Sequence, residues 1–73
     1  MLVNINSVEK VKAFVQITSR FDFEADLVSG KYVVDAKSIM GIFSLDLSKP
    51  IELKVCSEEN RKIAESMLSR FAA

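Results

Sequence analysis

The chain has 73 residues, of which 49% are hydrophobic and 27% charged, a composition typical of one small globular domain. Ten basic residues balance ten acidic ones, so the chain lacks the cationic excess that nucleic-acid binding draws on. One cysteine and no histidine exclude an internal disulfide, a cysteine-only zinc site and a thiolate–imidazole pair. Because residues 1–5 are too short for a signal sequence or a membrane span, we expect a cytoplasmic protein that does not bind a membrane. We also expect no metal and no cofactor.

The first half of the chain predicts a strand, a helix and a second strand. Residues 2–5 read as a short strand, and Asn6, with Glu9 three residues later, predicts the start of a helix that runs to about Arg20. The helix is indicated by apolar residues at helical spacing: Val8, Val11, Phe14, Val15 and Thr18. Residues 21–28 predict a half-buried strand, because apolar and acidic residues alternate. We expect the three acidic side chains, Asp22, Glu24 and Asp26, to form a solvated face rather than a metal site.

The second half predicts a hairpin, a short helix, a strand and a last helix. The turn at Ser29-Gly30 leads into a strand over Lys31–Ala36, and Ser38–Leu45 and Ile51–Cys56 predict a short helix and a further strand. Ser57 is a candidate cap for the last helix, whose apolar stripe contains Ile63, Ala64, Met67, Leu68 and Phe71. The order βαββαβα predicts an α+β fold, an antiparallel sheet with helices on one face. The expected core contains Phe14, Val15, Leu53, Val55, Ile63, Met67 and Phe71.

The segment Asp35–Leu45 carries the most distinctive motif, Lys-Ser-Ile-Met-Gly at residues 37–41. It closely resembles the corresponding segment of the HPr family, the phosphocarrier proteins of the bacterial sugar phosphotransferase system. Phe14-Val15-Gln16, Ser19-Arg20-Phe21 and Gly30-Lys31 also resemble that family. The resemblance covers residues 14–47 well and the last strand and helix by pattern. It implies an open-faced β-sandwich in which three helices cover one face of a four-stranded antiparallel sheet.

The resemblance breaks down at the N-terminus, where the family carries phosphate on a histidine followed by an arginine and a proline. An ungapped alignment places Ser7 at the histidine, Glu9 at the arginine and Lys10 at the proline, and leaves almost no residues for a first strand. We favour the alternative alignment, in which residues 1–5 form that strand and the active-site loop is shortened. Both alignments predict loss of the phosphocarrier chemistry, because a serine ester is a poor phosphoryl donor and Glu9 repels phosphate. We expect no catalytic residues and no enzyme activity.

The sequence supports two interpretations of Ser38 equally. In many Gram-positive members of the family the matching serine is phosphorylated by a dedicated kinase, and the modified protein then binds a transcription regulator. The resemblance therefore implies Ser38 as a phosphorylation site, with a serine kinase and a transcription regulator among the protein partners. The other reading is a plain N-cap of the short helix, since the same geometry suits both.

The short helix also carries more apolar residues than one buried stripe requires. By resemblance to the family, Lys37, Ile39, Met40 and Phe43 are predicted to bind a protein partner, with Met40 and Phe43 exposed. The alternative places all the apolar residues of this helix in the core. We therefore expect a regulatory or protein-binding module without the carrier histidine. The alternatives are an interaction domain unrelated to sugar transport, with Ser38 only a helix cap, and a phosphotransfer component with another acceptor, which the lack of histidine disfavours.

Overall fold

The secondary structure follows the predicted order βαββαβα. A computed structural model describes all residues, 1–73. Its elements are β1 (Leu2–Val3), α1 (Val8–Thr18), β2 (Asp26–Ser29), β3 (Tyr32–Asp35), α2 (Ile39–Phe43), β4 (Ile51–Lys54), α3 (Glu58–Met67) and a closing 3-10 turn (Ser69–Phe71). None of the helices is both long enough and apolar enough to cross a membrane.

The four strands form one sheet in the order β1-β4-β2-β3, and every neighbouring pair is antiparallel. Leu27 at the centre of β2 lies opposite Leu53 of β4 on one side and Val34 of β3 on the other. The β2–β3 hairpin turns at Gly30, whose φ of 58° lies in the region that favours glycine. The helices cover one face of this sheet, which confirms the predicted α+β open-faced sandwich.

The core lies between the helices and the covered face of the sheet, and Phe14 of α1 is one of its largest fully buried side chains. The ring of Phe14 meets that of Phe71 edge to face, with 5.5 Å between the centroids. Thr18 is the one buried polar residue, and its hydroxyl donates to the Ala36 carbonyl oxygen at 2.8 Å. This bond satisfies the buried hydroxyl and ties the end of α1 to the segment after β3.

The predicted ends of the first helix were wrong by one or two residues. Ser7, not Asn6, is the N-cap, and its Oγ accepts the Lys10 N–H at 3.1 Å. Asn6 instead accepts a hydrogen bond from Lys10 Nζ through its side-chain oxygen. The helix ends at Thr18 rather than Arg20, because the next backbone bonds reach only three residues back: the Arg20 and Phe21 N–H groups donate to the Ile17 and Thr18 carbonyl oxygens.

The strand predicted over residues 21–28 was too long, since β2 begins only at Asp26. The predicted alternation in burial is present, but residues 21–24 have no neighbouring strand with which to pair. Beyond β3 the sheet gains one further bond, from Ala36 N–H to the Ala25 carbonyl oxygen. The rings of Phe21 and Phe23 stack on each other, with centroids 4.6 Å apart, in place of a regular ladder.

The predicted core was wrong at two positions of the last helix. Ile63 and Met67 are 43% and 42% exposed, whereas Ala64 and Leu68 are fully buried. The apolar stripe is therefore wider than the surface that α3 buries against the sheet. Phe14, Leu53 and Phe71 are buried as predicted, and Val15 and Val55 pack partly buried against the core. The remaining expected strands and the short helix are each a little shorter than predicted.

Candidate functional site

The Lys-Ser-Ile-Met-Gly motif forms the start of α2. Ser38 is the N-cap, half-buried, and its Oγ accepts the Gly41 N–H at 3.1 Å. Its carbonyl oxygen accepts the Ile42 N–H at 3.0 Å. A Cβ at Gly41 would come within 3.2 Å of Ser38 Oγ and 3.3 Å of Val34 Cβ, so this glycine allows α2 to approach both its own cap and β3 closely. The capping role predicted for Ser38 is therefore present in the structure.

Lys37 is held on both sides of the turn that leads into α2. Its N–H donates to Asp35 Oδ1 at 2.9 Å, and its ammonium group donates to the Phe21 carbonyl oxygen at 3.1 Å. Lys37 is half-buried in this position. Its charge therefore stabilises the irregular segment before β2 rather than standing free beside Ser38.

The apolar residues of α2 divide between the core and the surface. Ile42 is fully buried, and Ile39 is half-buried against the core. Met40 is 79% exposed and Phe43 41% exposed. The alternative in which all four residues belong to the core is therefore wrong. Lys37, Ser38, Met40 and Phe43, together with the edge of Ile39, form what we call the α2 surface.

The loop after α2 is polar and internally bonded. The hydroxyl and the N–H of Ser48 donate to Asp46 Oδ1 at 2.6 Å and 3.1 Å, and these two bonds lower the pKa of Asp46 from its ordinary value of 3.8. At the end of the helix the Ser44 hydroxyl donates to the Gly41 carbonyl oxygen at 2.6 Å. The α2 surface thus has a hydrophilic border on its C-terminal side.

Ser7 lies directly before α1, which is where the ungapped alignment places the acceptor histidine of the family. The strand β1 covers only Leu2 and Val3, and a short connection leads from it to Ser7. The alignment of Ser7 with the family's histidine stays a prediction. Ser7 and Ser38 begin different helices, and the remaining predicted site residues all lie at α2.

Sequence reasoning missed the position of Arg70. A shallow depression at the start of α1 is lined by Glu9, Lys10, Ala13, Arg70 and Phe71. The Arg70 guanidinium carbon lies 4.9 Å from the centre of the Phe71 ring, a cation–π distance. Arg70 comes from the other end of the chain, so no local pattern could have placed it near the first helix. Glu9 is consequently not the only charged group there.

Together, the antiparallel open-faced sheet, the three covering helices and the serine-capped α2 define a small protein of the phosphocarrier fold. The family model described as "PTS HPr component phosphorylation site" matches residues 9–72. The chain therefore belongs to the HPr family, as the motif indicated. A crystal structure titled HPr-C-His from Thermoanaerobacter tengcongensis is similar at a TM-score of 0.78 and 26% sequence identity, covering 96% of this chain and 85% of that one. No curated protein sequence matches the chain.

Proposed function

We propose that this chain is an HPr-family protein that has lost the carrier step and acts as a regulatory or protein-binding module. The α2 surface is its docking site, and phosphorylation of Ser38 controls docking. The observation that supports this proposal is the combination of a chain without histidine and an α2 that exposes Met40 and Phe43 around a serine cap.

The chemistry at Ser7 supports the loss of the carrier step. Ser7 Oγ already accepts the Lys10 N–H, and it could carry a phosphoryl group only as a stable ester. Glu9 lies in the first turn of the same helix and repels a phosphate, although Lys10 and Arg70 offset part of that repulsion. An imidazole nitrogen passes on its phosphoryl group readily, whereas a serine ester does not. Phosphate relay is therefore the weaker of the two functions.

The consequence of phosphorylating Ser38 follows from its neighbours. A phosphate there gains the N–H groups at the start of α2 and can draw the Lys37 ammonium away from the Phe21 carbonyl oxygen. The fold should survive, because these contacts offset the lost cap bond. The dianion would lie beside Met40 and convert an apolar docking surface into a mixed one, which changes partner choice.

Treatment with an HPr-type serine kinase and ATP, followed by mass-spectrometric mapping, tests the regulatory half of the proposal. We expect one phosphate, on Ser38, and none in the Ser38→Ala variant. A verified HPr substrate is labelled in parallel as a control. An unmodified Ser38 beside a labelled control would contradict phosphoregulation and favour the alternative, an interaction domain unrelated to sugar transport with Ser38 only a helix cap.

Incubation with Enzyme I and labelled phosphoenolpyruvate tests the other half. We expect the chain to remain unlabelled while a conventional HPr in the same tube is labelled. Stoichiometric label would show that a phosphotransfer role remains, and the Ser7→Ala variant would then decide whether Ser7 is the acceptor.

Capture of binding proteins tests whether the α2 surface docks partners. It compares the unmodified chain, the phosphorylated chain and Met40→Glu, a variant that alters this surface.

A further inference from the structure

The free edge of the sheet is formed by β3, the last strand in the order β1-β4-β2-β3. The Ala36 N–H donates to Ala25 across β2 and β3, and Val34 lies opposite Leu27 two residues earlier. Backbone groups in an antiparallel pair point alternately towards the partner strand and away from it. The N–H and C=O groups of Val33, and the N–H of Asp35, therefore point away from the sheet and have no strand beside them.

The side chains along this edge are unusually exposed for their types. Tyr32 is 70% and Val33 62% exposed. The chain's only proline, Pro50, lies elsewhere, so β3 lacks this common device against edge-to-edge pairing. Val34 is half-buried towards α2, so the alternation along β3 places Val33 and Asp35 on the uncovered face. Lys31 lies in the turn directly before β3.

The acidic side chains on the uncovered face of the sheet are not all paired with a cation. Asp35 lies directly opposite Asp26, and like charges opposite each other destabilise a sheet. Lys54 faces Asp26 from the other side, on β4. Asp35 has no cation opposite it in the sheet: its Oδ1 accepts the Lys37 backbone N–H, and the side of its strand away from β2 is the open edge.

We propose that two copies of this chain pair through β3, antiparallel and centred on Val33, to form a continuous eight-stranded sheet. This register places Lys31 of each copy opposite Asp35 of the other and brings the two Val33 side chains together. It also aligns the outward N–H and C=O groups of the two Val33 residues. Centring the pair on Asp35 would oppose two carboxylates, and centring it on Tyr32 or Val34 would face backbone groups that are already bonded to β2.

A second copy fits this edge because antiparallel pairing brings Lys31, at one end of the edge, opposite Asp35, at the other end of the edge in the second copy. The pairing is confined to residues 31–35, because the Ser38 N–H donates to the Asp35 carbonyl oxygen and the chain then turns into α2. A contact of this length is small, so association should be weak and concentration-dependent. The α2 surface is not used by this contact, and the proposal is independent of the regulatory function.

Sedimentation velocity over micromolar to millimolar concentrations tests the proposal on the full chain. We expect the weight-average mass to rise from 8.2 kDa towards twice that value at low salt. Hydrogen exchange measured at both ends of the range should show slower exchange of the Val33 and Asp35 amides at high concentration. A mass that remains monomeric throughout, or unchanged exchange at both amides, would overturn the proposal.

Charge-swapped variants test the register. Lys31→Asp and Asp35→Lys should each remain monomeric, because each opposes like charges in both contacts. An equimolar mixture of the two should dimerise, because both contacts are then complementary. Lys12→Asp, the same charge change on the exposed side of α1, should dimerise like the unaltered chain. A dimer that persists in either single variant, or a mixture that stays monomeric while both variants are folded by circular dichroism, would refute this pairing.

Discussion

Removal of the Ser38 hydroxyl should measurably destabilise the protein. Ser38→Ala removes the acceptor of the Gly41 N–H, which then has no partner near a half-buried cap. Loss of a serine N-cap typically costs about 1 kcal/mol. Because α2 has only five residues, this bond is a large share of the interactions that stabilise the helix. We therefore expect the free energy of unfolding to fall by about 1.5 kcal/mol. Ser38→Asp keeps an acceptor beside the helix N-terminus and should remain within about 0.5 kcal/mol of the unaltered protein.

Urea unfolding followed by circular dichroism measures these differences, with thermal unfolding as a second reading. For a domain of this size the loss in Ser38→Ala corresponds to a fall of roughly 6–12 °C in Tm. Ser66→Ala is the matched control, since Ser66 is exposed in α3, and it should cost almost nothing. Equal stability of Ser38→Ala and Ser66→Ala would refute the view that Ser38 has a capping role, and with it the physical account of how a phosphate is accommodated there.

Three further changes test the packing and electrostatics around this site. Gly41→Ala should cost about 1 kcal/mol in urea unfolding despite the better helix propensity of alanine, because the new Cβ meets the side chains of Ser38 and Val34; a more stable variant would contradict the close approach of α2 to β3. Phe14→Leu should cost about 1–2 kcal/mol, as the edge-to-face contact between rings is lost, and an unchanged urea midpoint would count against it. The pKa of the Asp46 carboxyl, measured by NMR, should lie below 3.8 and should rise in Ser48→Ala. The stabilising contribution of this group is therefore present above pH 3.8 and is lost as the pH falls through the lowered pKa. An Asp46 pKa that does not change in Ser48→Ala would disprove the role of the Ser48 bonds.

Local sequence patterns predicted most of the fold, because helix caps and apolar spacing depend on residues that are close together in the chain. The caps at Ser38 and Ser57 and the apolar spacing of α1 could be recognised from the sequence. The length of a strand could not, since residues 21–24 alternate correctly but have no partner strand. Likewise, the stripe on α3 shows which residues are apolar, but only the packed structure shows that Ile63 and Met67 lie at its outer margin.

The candidate site, like the fold, could be predicted only where local sequence patterns determine it. The excess of apolar residues on one short helix indicated that some of them are exposed, and the resemblance to the HPr family pointed to Met40 and Phe43. The structure places both at the surface. The binding role of these residues, and phosphorylation of Ser38, stay predictions. The bond that ties Lys37 to the Phe21 carbonyl oxygen and the approach of Arg70 to the start of α1 depend on tertiary contacts, which no spacing in the sequence encodes.

The first strand is also joined to the last residues of the chain. Val3 forms a bridge with Ala72, the Asn4 N–H donates to the Phe71 carbonyl oxygen at 2.7 Å, and the Ala73 N–H donates to that of Leu2 at 3.0 Å. These bonds link residues separated by almost the whole chain, so their formation must overcome the largest loop-closure entropy in the molecule. We expect them to form late in folding and to open first under mechanical load. A peptide linker that joins residues 1 and 73 should slow this opening, although it removes the ion pair of the Met1 ammonium with Glu52 of β4.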